Sequence, residues 1–473
     1  MQNTTGQNAT GLRIIRLGVG PAAVVLVACL LAATADASAC TPQGVSIAQD
    51  SPFPLRTEDG MRYLVDANEK PFFMNGDTAW SLIAQLRKED AETYLQDRKA
   101  RGVNTILVNL LEHQFATNAP ANIYGDPPFF SGSDFSKPNE AYFKHADWVL
   151  QRACDLGFTV LLTPAYVGNG GGSEGWYHEM SENGVDRLRA YGQFLGKRYG
   201  HLNNIIWVHG GDYNPPDKDL VRAIVEGIHE FDADALNTAH GAPGSPAIEH
   251  WEGEPWLAIN NVYTYEPVYW SALTQYEHHR DKPFFLMESA YENEHGANEY
   301  RLRMQAYQAV LSGAMGHVFG NNPMWHFDGP GLYAVPSGWK DELDSRGAQS
   351  MTYLYNLFSS LRWWELEPDT SNALLFAGHG GDSARAVAAR SKDGSFAVIY
   401  LPTSRGAIVD LGQLSSAPVK ARWFDPSNGM FKTVEESPFD GGDRKLVPPR
   451  RNYAGFNDWL LVLETISETG PTR

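Results

Sequence analysis

The sequence predicts an α/β protein, with a (β/α)8 TIM barrel followed by a small antiparallel β-sandwich domain. Eight short apolar runs alternate with segments of helical periodicity along residues 72–321, and eight such repeats are typical of a closed parallel barrel. Several of these runs end in an acid, most clearly at Asp212 and Glu288. Beyond Glu365 the pattern changes to short strands separated by turns, which indicates a second, all-β domain.

The eight apolar runs are bounded by turn residues, as expected of strands that are buried on both faces. We predict barrel strands at residues 72–77, 104–111, 158–166, 204–212, 236–240, 257–265, 283–288 and 317–321. Helices are predicted at residues 91–101, 142–156, 186–199, 221–231, 300–312 and 351–364. Because the active site of such a barrel lies at the carboxyl ends of its strands, the residues that end each run are the candidates for function.

The C-terminal domain is predicted to be built from seven short strands. They are expected at residues 373–377, 384–389, 396–401, 407–411, 419–424, 430–434 and 458–464. Residues 425–429 (Asp-Pro-Ser-Asn-Gly) are a hairpin signal between two of them. A domain of this kind could bind carbohydrate or could pack against the barrel and stabilise it, and we expect the second role.

Residues 1–39 are predicted to be a secretory signal peptide. Arg13 and Arg16 precede an apolar run at residues 17–33, and Ala-Ser-Ala at residues 37–39 is a cleavage signal before Cys40. We therefore expect a secreted or periplasmic protein, with a catalytic barrel at residues 40–365 and a sandwich domain at residues 366–473. An uncleaved membrane anchor is the alternative, but the run is shorter than the roughly 20 residues of a membrane span.

Cysteine usage leaves a second alternative for export, a lipoprotein attached through Cys40. Ala37 stands where a lipid-attachment signal usually has Leu, which disfavours lipidation. After the predicted cleavage only Cys40 and Cys154 remain, so no disulfide framework is expected.

Composition excludes several classes of partner. The formal net charge of −18 disfavours nucleic acid and anionic membranes. The 43% of hydrophobic residues can build a large core. Thirteen Trp and twenty-one Tyr exceed ordinary core needs; we expect most of these rings to pack in the core, whereas rings left at a cleft often stack on sugars. The expected partner is therefore an oligosaccharide or polysaccharide substrate.

Acids at predicted strand ends indicate glycosidic bond cleavage. Two carboxyl groups across a cleft can divide this work: one protonates the leaving oxygen and the other attacks the anomeric carbon or activates water. We assign the acid/base role to Asp212, because the two preceding glycines let a substrate approach, and the nucleophile role to Glu288. Their carboxyl groups are expected about 5 to 5.5 Å apart, as in retaining enzymes. Asp77 and Glu112 either bind substrate or anchor loops.

Further substrate-binding residues are predicted from their position at strand ends. They are Trp80, Asn109, His113, Tyr166, His209, Tyr213, His240, Tyr263 and Trp325. No metal or other cofactor is expected, because the chain has no His-Glu-x-x-His motif and its 14 His are scattered. It also has no Gly-x-Ser-x-Gly elbow, and the glycine-rich run at residues 168–172 is not followed by the Lys-Ser/Thr of a phosphate loop.

Three motifs carry a family resemblance. Residues 75–80 (Asn-Gly-Asp-Thr-Ala-Trp), residues 207–212 (Trp-Val-His-Gly-Gly-Asp) and Met287 with Glu288 together resemble the apiosidase-like glycoside hydrolases, family 140 and its relatives. The tail at residues 374–464 resembles a module labelled as collagen-binding, but nothing in its strands requires collagen binding.

The resemblance implies a (β/α)8 barrel and retention of anomeric configuration. It also implies catalysis by an Asp after the fourth strand and a Glu after the seventh, which correspond to Asp212 and Glu288. The activity implied is endo-cleavage at apiose in the side chains of pectic rhamnogalacturonan II, with other furanosides as alternative substrates. A non-catalytic glycan-binding barrel is the alternative function, and an adhesin built on the tail is a third.

Overall fold

The computed structural model describes residues 51–415 and 418–466. The predicted signal peptide and Cys40 lie outside this part of the chain. Within it, no helix is both long enough and apolar enough to cross a membrane.

Eight parallel strands form the predicted barrel sheet. They are β1 (Met74–Thr78), β2 (Thr105–Asn109), β3 (Thr159–Thr163), β4 (Ile205–Gly210), β5 (Leu236–His240), β6 (Asn260–Tyr263), β7 (Phe284–Glu288) and β8 (Gly316–Phe319). Their order in the sheet is β5-β4-β3-β2-β1-β8-β7-β6, so strands that are neighbours in sequence pair with each other, except β5 and β6, and β8 returns to β1. The predicted fold class is confirmed, and the observed strands are mostly shorter than the predicted ones.

Individual hydrogen bonds, instead of a regular β-ladder, join β5 to β6 and close the barrel. The backbone N–H of Ile259 donates to the carbonyl of Asn237 at 3.2 Å. The side chain of Asn261 donates to the carbonyl of Ala239 at 2.6 Å and to the hydroxyl of Thr238 at 3.0 Å. The buried side-chain amide of Asn261 thus links β6 to β5, the two strands at the ends of the sheet order.

Helices cover the outside of the sheet. They are α1 (Leu82–Gln85), α2 (Lys88–Ala100), α3 (Glu140–Asp155), α4 (Tyr177–Tyr199), α5 (Lys218–His229), α6 (Ala247–His250), α7 (Val268–His278), α8 (Glu299–Leu311) and α9 (Arg346–Ser359). The prediction omits α1, α6 and α7. It omits α7 although the buried residues Val268, Ala272, Gln275 and Tyr276 follow helical spacing, because aromatic and polar residues alternate irregularly along it.

Close packing of α4 on α5 depends on glycine. A β-carbon on Gly192 would lie 2.3 Å from the carbonyl oxygen of Ile224, and one on Gly227 would lie 2.3 Å from the carbonyl oxygen of Arg189. These two helices therefore approach backbone to backbone beside β4.

The C-terminal region forms two antiparallel sheets, as predicted. Its strands are β9 (Leu366–Pro368), β10 (Leu375–Ala377), β11 (Val387–Ser391), β12 (Phe396–Leu401), β13 (Ala407–Asp410), β14 (Val419–Phe424), β15 (Phe431–Thr433), β16 (Asp443–Leu446) and β17 (Trp459–Thr465). Six strands form one sheet in the order β9-β11-β12-β17-β14-β15, and β10-β13-β16 form the other. The prediction omits β9 and β16, which are short and carry charged residues.

The larger sheet packs against α8 of the barrel. The rings of Tyr307 and Tyr400 stack with centroids 5.1 Å apart. Beside them the guanidinium of Arg303 donates to both carboxylate oxygens of Asp458, at 2.7 and 2.9 Å, with neither side chain exposed. Asn452 donates to the same carboxylate at 2.7 Å. The interface therefore holds a fully buried ion pair inside a continuous apolar core.

Cys154 on α3 is disulfide-bonded, and its partner lies outside the described residues. The sequence led us to expect no disulfide framework, and the bridge at Cys154 corrects that expectation. A bridge requires two cysteines that are close in space, which their separation in sequence does not reveal.

We expect Asp458→Asn to destabilise the protein strongly, because it leaves the buried guanidinium of Arg303 without its charged partner. Loss of one member of a buried pair costs about 3–5 kcal/mol in the free energy of unfolding. Chemical denaturation measures this directly. The control is Glu226→Gln, which breaks a half-exposed 2.8 Å pair with Arg189 and should cost less than about 1 kcal/mol. Equal, small losses in both variants would contradict a stabilising role for the buried pair.

Candidate active site

Three ionisable side chains meet at the carboxyl ends of the barrel strands. His240 is the last residue of β5 and Glu288 the last residue of β7, while Asp212 lies two residues beyond β4. Gly210 ends β4 with a φ of 94°, and a β-carbon there would lie 2.4 Å from the carbonyl oxygen of His240. The backbone N–H of Gly211 donates to that carbonyl at 3.2 Å. The glycine pair therefore brings the end of β4 against β5 and places Asp212 beside His240.

The two acids face each other at short range. One carboxylate oxygen of Asp212 lies within 4.8 Å of one of Glu288. Retaining glycosidases have carboxyl groups about 5–5.5 Å apart, whereas inverting enzymes separate them by about 6.5–9.5 Å. An oxygen–oxygen approach this short fits the closer spacing of retaining enzymes, in which one of the acids attacks directly.

His240 bridges the acids from below. Its Nε2 lies 3.0 Å from Oε2 of Glu288 in a hydrogen bond, and its Nδ1 lies 3.3 Å from Oδ1 of Asp212. The second contact is close enough for an ion pair but is not aligned as a hydrogen bond, and both of its atoms are buried without another hydrogen-bond partner. The side chain is 1% exposed, so His240 does not lie at the rim where the sequence analysis placed it among the substrate-binding residues.

Burial and mutual repulsion set the protonation of this cluster. Burial raises the pKa of Asp212, and the charge of His240 opposes that shift. Burial, followed by the charge of Asp212, raises the pKa of Glu288 to about 7. Burial alone would lower the pKa of His240, but the charges of Asp212 and Glu288 raise it to about 9. Two carboxyl groups this close titrate as a pair, and the imidazole of His240 lies beside both of them.

Aromatic side chains enclose the acids. Tyr166 and Tyr263 donate hydrogen bonds that lower the pKa of Asp212, and burial keeps both phenols neutral by raising their own pKa values. The indole N–H of Trp80 donates to the hydroxyl of Tyr291 at 3.1 Å, and the charge of Glu288 helps to raise the pKa of Tyr291. Neutral tyrosines can donate hydrogen bonds to a sugar or to a carboxylate without adding charge.

The acids open into a cavity of about 810 Å³. Of the residues predicted from sequence, Trp80, Asn109, Tyr166, Tyr263 and Trp325 line it together with both acids. The prediction missed other lining residues, among them Phe115, Tyr265, Tyr291, Glu294, Arg301 and Tyr333. Most of these belong to the loops after β6, β7 and β8, where no periodic pattern points to the cavity.

Asp77 does not line the cavity. It is fully buried in an ion pair with Arg98 of α2 and accepts a hydrogen bond from the hydroxyl of Tyr94 at 2.9 Å. It lies one residue before the end of β1, and its carboxylate turns toward α2 and away from the cavity. The structure therefore supports the loop- or helix-anchoring alternative for Asp77.

Glu112 and His113 also lie outside the cavity lining. The Glu112 carboxylate accepts backbone N–H groups of residues 113–115, at 3.0 to 3.3 Å, and the hydroxyl of Ser81 at 3.1 Å. His113 contacts Oε1 of Glu179 at 3.1 Å. Glu112 thus fixes the loop that follows β2, which is the anchoring role rather than the binding role.

His209 and Tyr213 are displaced from the cavity for different reasons. His209 is 1% exposed and its Nε2 lies 2.7 Å from Oδ1 of Asn237, within the interior of the barrel wall. Burial lowers its pKa to about 4, so it is neutral. Tyr213 turns outward and packs edge-on against Tyr177, with ring centroids 5.2 Å apart.

Asp212, His240 and Glu288 are the single group of three among the described residues whose types and spacing could hold a metal ion. Their polar atoms are directed at one another, with the imidazole between the carboxylates at ion-pair distance. We assign no metal to this position.

The closed barrel with a carboxylate pair at its mouth defines the class as glycoside hydrolase, and solved structures agree. One, titled "Glycoside hydrolase", has a TM-score of 0.77 and 26% identity over 89% of this chain and 99% of its own. A glycoside hydrolase family 5 protein from Bacteroides vulgatus has a TM-score of 0.77 and 24% identity over 88% of this chain and 95% of its own, which supports the fold.

The family follows from the sequence models. The model described as "Apiosidase-like, catalytic domain" matches residues 58–365, and the chain therefore belongs to the apiosidase-like glycoside hydrolase family. Residues 368–464 match the model described as "Putative collagen-binding domain of a collagenase". No curated protein matches the chain.

We expect Gly211→Ala to impair hydrolysis by moving Asp212. A β-carbon at this position would lie 2.8 Å from the ring of Tyr166 and 2.8 Å from the backbone nitrogen of Val167. Misplacement of a catalytic group by about 1 Å can cost about 100-fold, so kcat/KM should fall at least about tenfold. The control is Gly381→Ala, since a β-carbon there has nothing within 4 Å. A Gly211→Ala enzyme with an unchanged rate would show that this close approach does not position the acid.

Proposed function

We propose that the protein is a retaining hydrolase of a plant-type polysaccharide, with apiose linkages in the side chains of pectic rhamnogalacturonan II as the first candidate and other furanosides as the second. The observation that carries the proposal is the approach of Asp212 and Glu288 to within 4.8 Å at the cavity floor. Membership of the apiosidase-like family supports the choice of substrate.

Hydrogen bonding supports separate roles for the two acids. Glu288 accepts a well-formed hydrogen bond from His240, and such a bond favours the ionised form that a nucleophile requires. Asp212 follows Gly210 and Gly211, whose missing side chains let a substrate approach its carboxyl group. The resemblance to apiosidase-like hydrolases likewise favours the Asp after the fourth strand as the acid/base. Asp212 is therefore the acid/base and Glu288 the nucleophile.

The reaction then has two steps. Asp212 gives its proton to the glycosidic oxygen while a carboxylate oxygen of Glu288 forms a bond to the anomeric carbon, and the bond to the leaving sugar breaks. Water enters the vacated position, loses a proton to Asp212 and attacks the same carbon. This displaces Glu288 as a carboxylate and gives a product with the original anomeric configuration.

The cavity walls suit a sugar. Trp80 and Trp325 offer apolar ring surface, and Tyr166 and Tyr263 offer neutral hydroxyl donors beside the acids. Rings of this kind stack on the C–H faces of a sugar, and the hydroxyls orient it over Glu288.

We infer that the protein acts outside the cytoplasm, in a secreted or periplasmic form. The signal-peptide pattern of residues 1–39 supports export, and a plant-type polysaccharide is a substrate found outside the cell.

The substrate is tested by incubating the purified protein with rhamnogalacturonan II side chains and with a panel of furanosides, and by identifying the released sugars. Release at apiose is the expected result. Release from other furanosides alone would keep the mechanism and replace the substrate. Binding without release from any member would contradict the proposed activity and favour a glycan-binding protein.

We expect Glu288→Ala to lower kcat by at least about 1,000-fold, since the nucleophile is lost. Added azide should restore turnover of an activated glycoside and give a glycosyl azide of inverted configuration. Asp212→Asn should lose most activity on natural linkages and keep more on substrates whose leaving group needs no proton. The control, Glu249→Gln, changes an exposed acid on α6 and should leave kcat unchanged. Azide rescue in Asp212→Ala with inverted product would exchange the two roles.

A further inference from the structure

We propose that His240 is a permanently charged bridge between the two catalytic acids, and that its positive charge sets the pH range in which the pair works. This inference rests on the proposed function, because it takes Asp212 as the acid and Glu288 as the nucleophile. It gives His240 a positioning and electrostatic role in place of the substrate contact expected from sequence.

Both ring nitrogens of His240 face a catalytic carboxyl group. A neutral imidazole has one donor nitrogen and one acceptor nitrogen. Here Nε2 lies 3.0 Å from an oxygen of Glu288 and Nδ1 lies 3.3 Å from an oxygen of Asp212. A neutral ring can donate to only one of two ionised carboxylates, whereas an imidazolium can donate to both. The doubly protonated imidazolium is the form that suits both contacts.

Within residues 51–415 and 418–466, the other groups packed against the ring are aromatic and carry no charge. Trp80 and Tyr166 approach it from the loops after β1 and β3, edge-on at 5.8 and 6.3 Å, and Tyr263 of β6 lies 5.1 Å away. These three groups are uncharged at neutral pH. The charged groups of the described residues that act on His240 are the two acids themselves.

More distant acids act on the carboxyl groups rather than on the ring. Glu174 raises the pKa of Asp212, and Glu294 raises the pKa of Glu288. His240 opposes both shifts, since a positive charge favours an ionised neighbour. Burial and the surrounding acids therefore raise the pKa values of the two catalytic carboxyl groups. The positive charge of His240 lowers them.

The sign of the effect follows from the mechanism. The acidic limb of kcat/KM against pH reports the ionisation of the nucleophile, and the alkaline limb reports loss of the proton from the acid. Removal of the cation raises both carboxyl pKa values. Both limbs should then move to higher pH together. A residue that only supported the packing would lower the rate without moving either limb.

The test is the pH profile of His240→Gln, which keeps a donor near Glu288 and removes the charge. An opposite charge within about 4–6 Å shifts a carboxyl pKa by about 1–3 pH units, so both limbs should move to higher pH by at least about one unit. The control is His317→Gln, which replaces a buried neutral histidine of β8 and should leave both limbs in place. Limbs that stay in place in folded His240→Gln would overturn the proposal.

A measurement on the unmodified protein separates this inference from the proposed function. In nitrogen NMR of labelled histidines, both ring nitrogens of His240 should be protonated at pH 7 and should begin to titrate only above about pH 8. The signal is assigned from its absence in His240→Gln or, if that variant does not fold, in His240→Asn. A neutral His240 at pH 7 would overturn the inference while leaving the two-acid mechanism intact. Failure of all glycans to react would overturn the proposed function, but the titration would still decide the state of His240.

Discussion

The rest of the site depends on the electrostatic interaction among two carboxyl groups and one imidazole that are buried close together. Two negative charges at this distance cannot both persist in a buried site without compensation. His240 supplies one positive charge, and neutral tyrosines supply hydrogen bonds without adding further charge. The glycines at the end of β4 matter because they permit the approach, since any side chain at Gly210 would meet the backbone of β5.

Helix α8 links the catalytic cavity to the C-terminal sandwich. Tyr300 and Arg301 near its start line the cavity, and the hydroxyl of Tyr300 donates to the carbonyl of Pro402 in the sandwich at 2.9 Å. One turn further along, Arg303 forms the buried pair with Asp458. The sandwich therefore supports one wall of the cavity as well as the outside of the barrel. This is the arrangement expected of a domain that stabilises the barrel, the role favoured by its sequence.

The sequence allowed the eight strands and the meeting of Asp212 with Glu288 to be predicted, because buried parallel strands are apolar runs and their carboxyl ends converge. It did not reveal which way a polar side chain turns. Asp77 looks like another strand-end acid until Arg98 of α2 is found beneath it. His240 carries the same ambiguity, since a histidine at a strand end can face a ligand or can lie under the acids. Helix α7 and the cavity loops lack the regular periodicity on which such predictions rely.

The catalytic pair explains how a bond is cleaved, but the choice of sugar depends on loops that the barrel does not fix. Glu294, in the loop after β7, holds the indole N–H of Trp325 at 2.9 Å, and Arg301 donates to the carbonyl of Tyr265 at 3.3 Å. One carboxylate and one guanidinium thus stand in the wall of a largely aromatic cavity. Aromatic surface discriminates weakly between sugars. A buried polar group of the site discriminates strongly, because a wrong substrate leaves it without a hydrogen-bond partner. Selectivity should therefore follow these polar loop residues, while the apolar strands beneath them maintain the geometry of the acids.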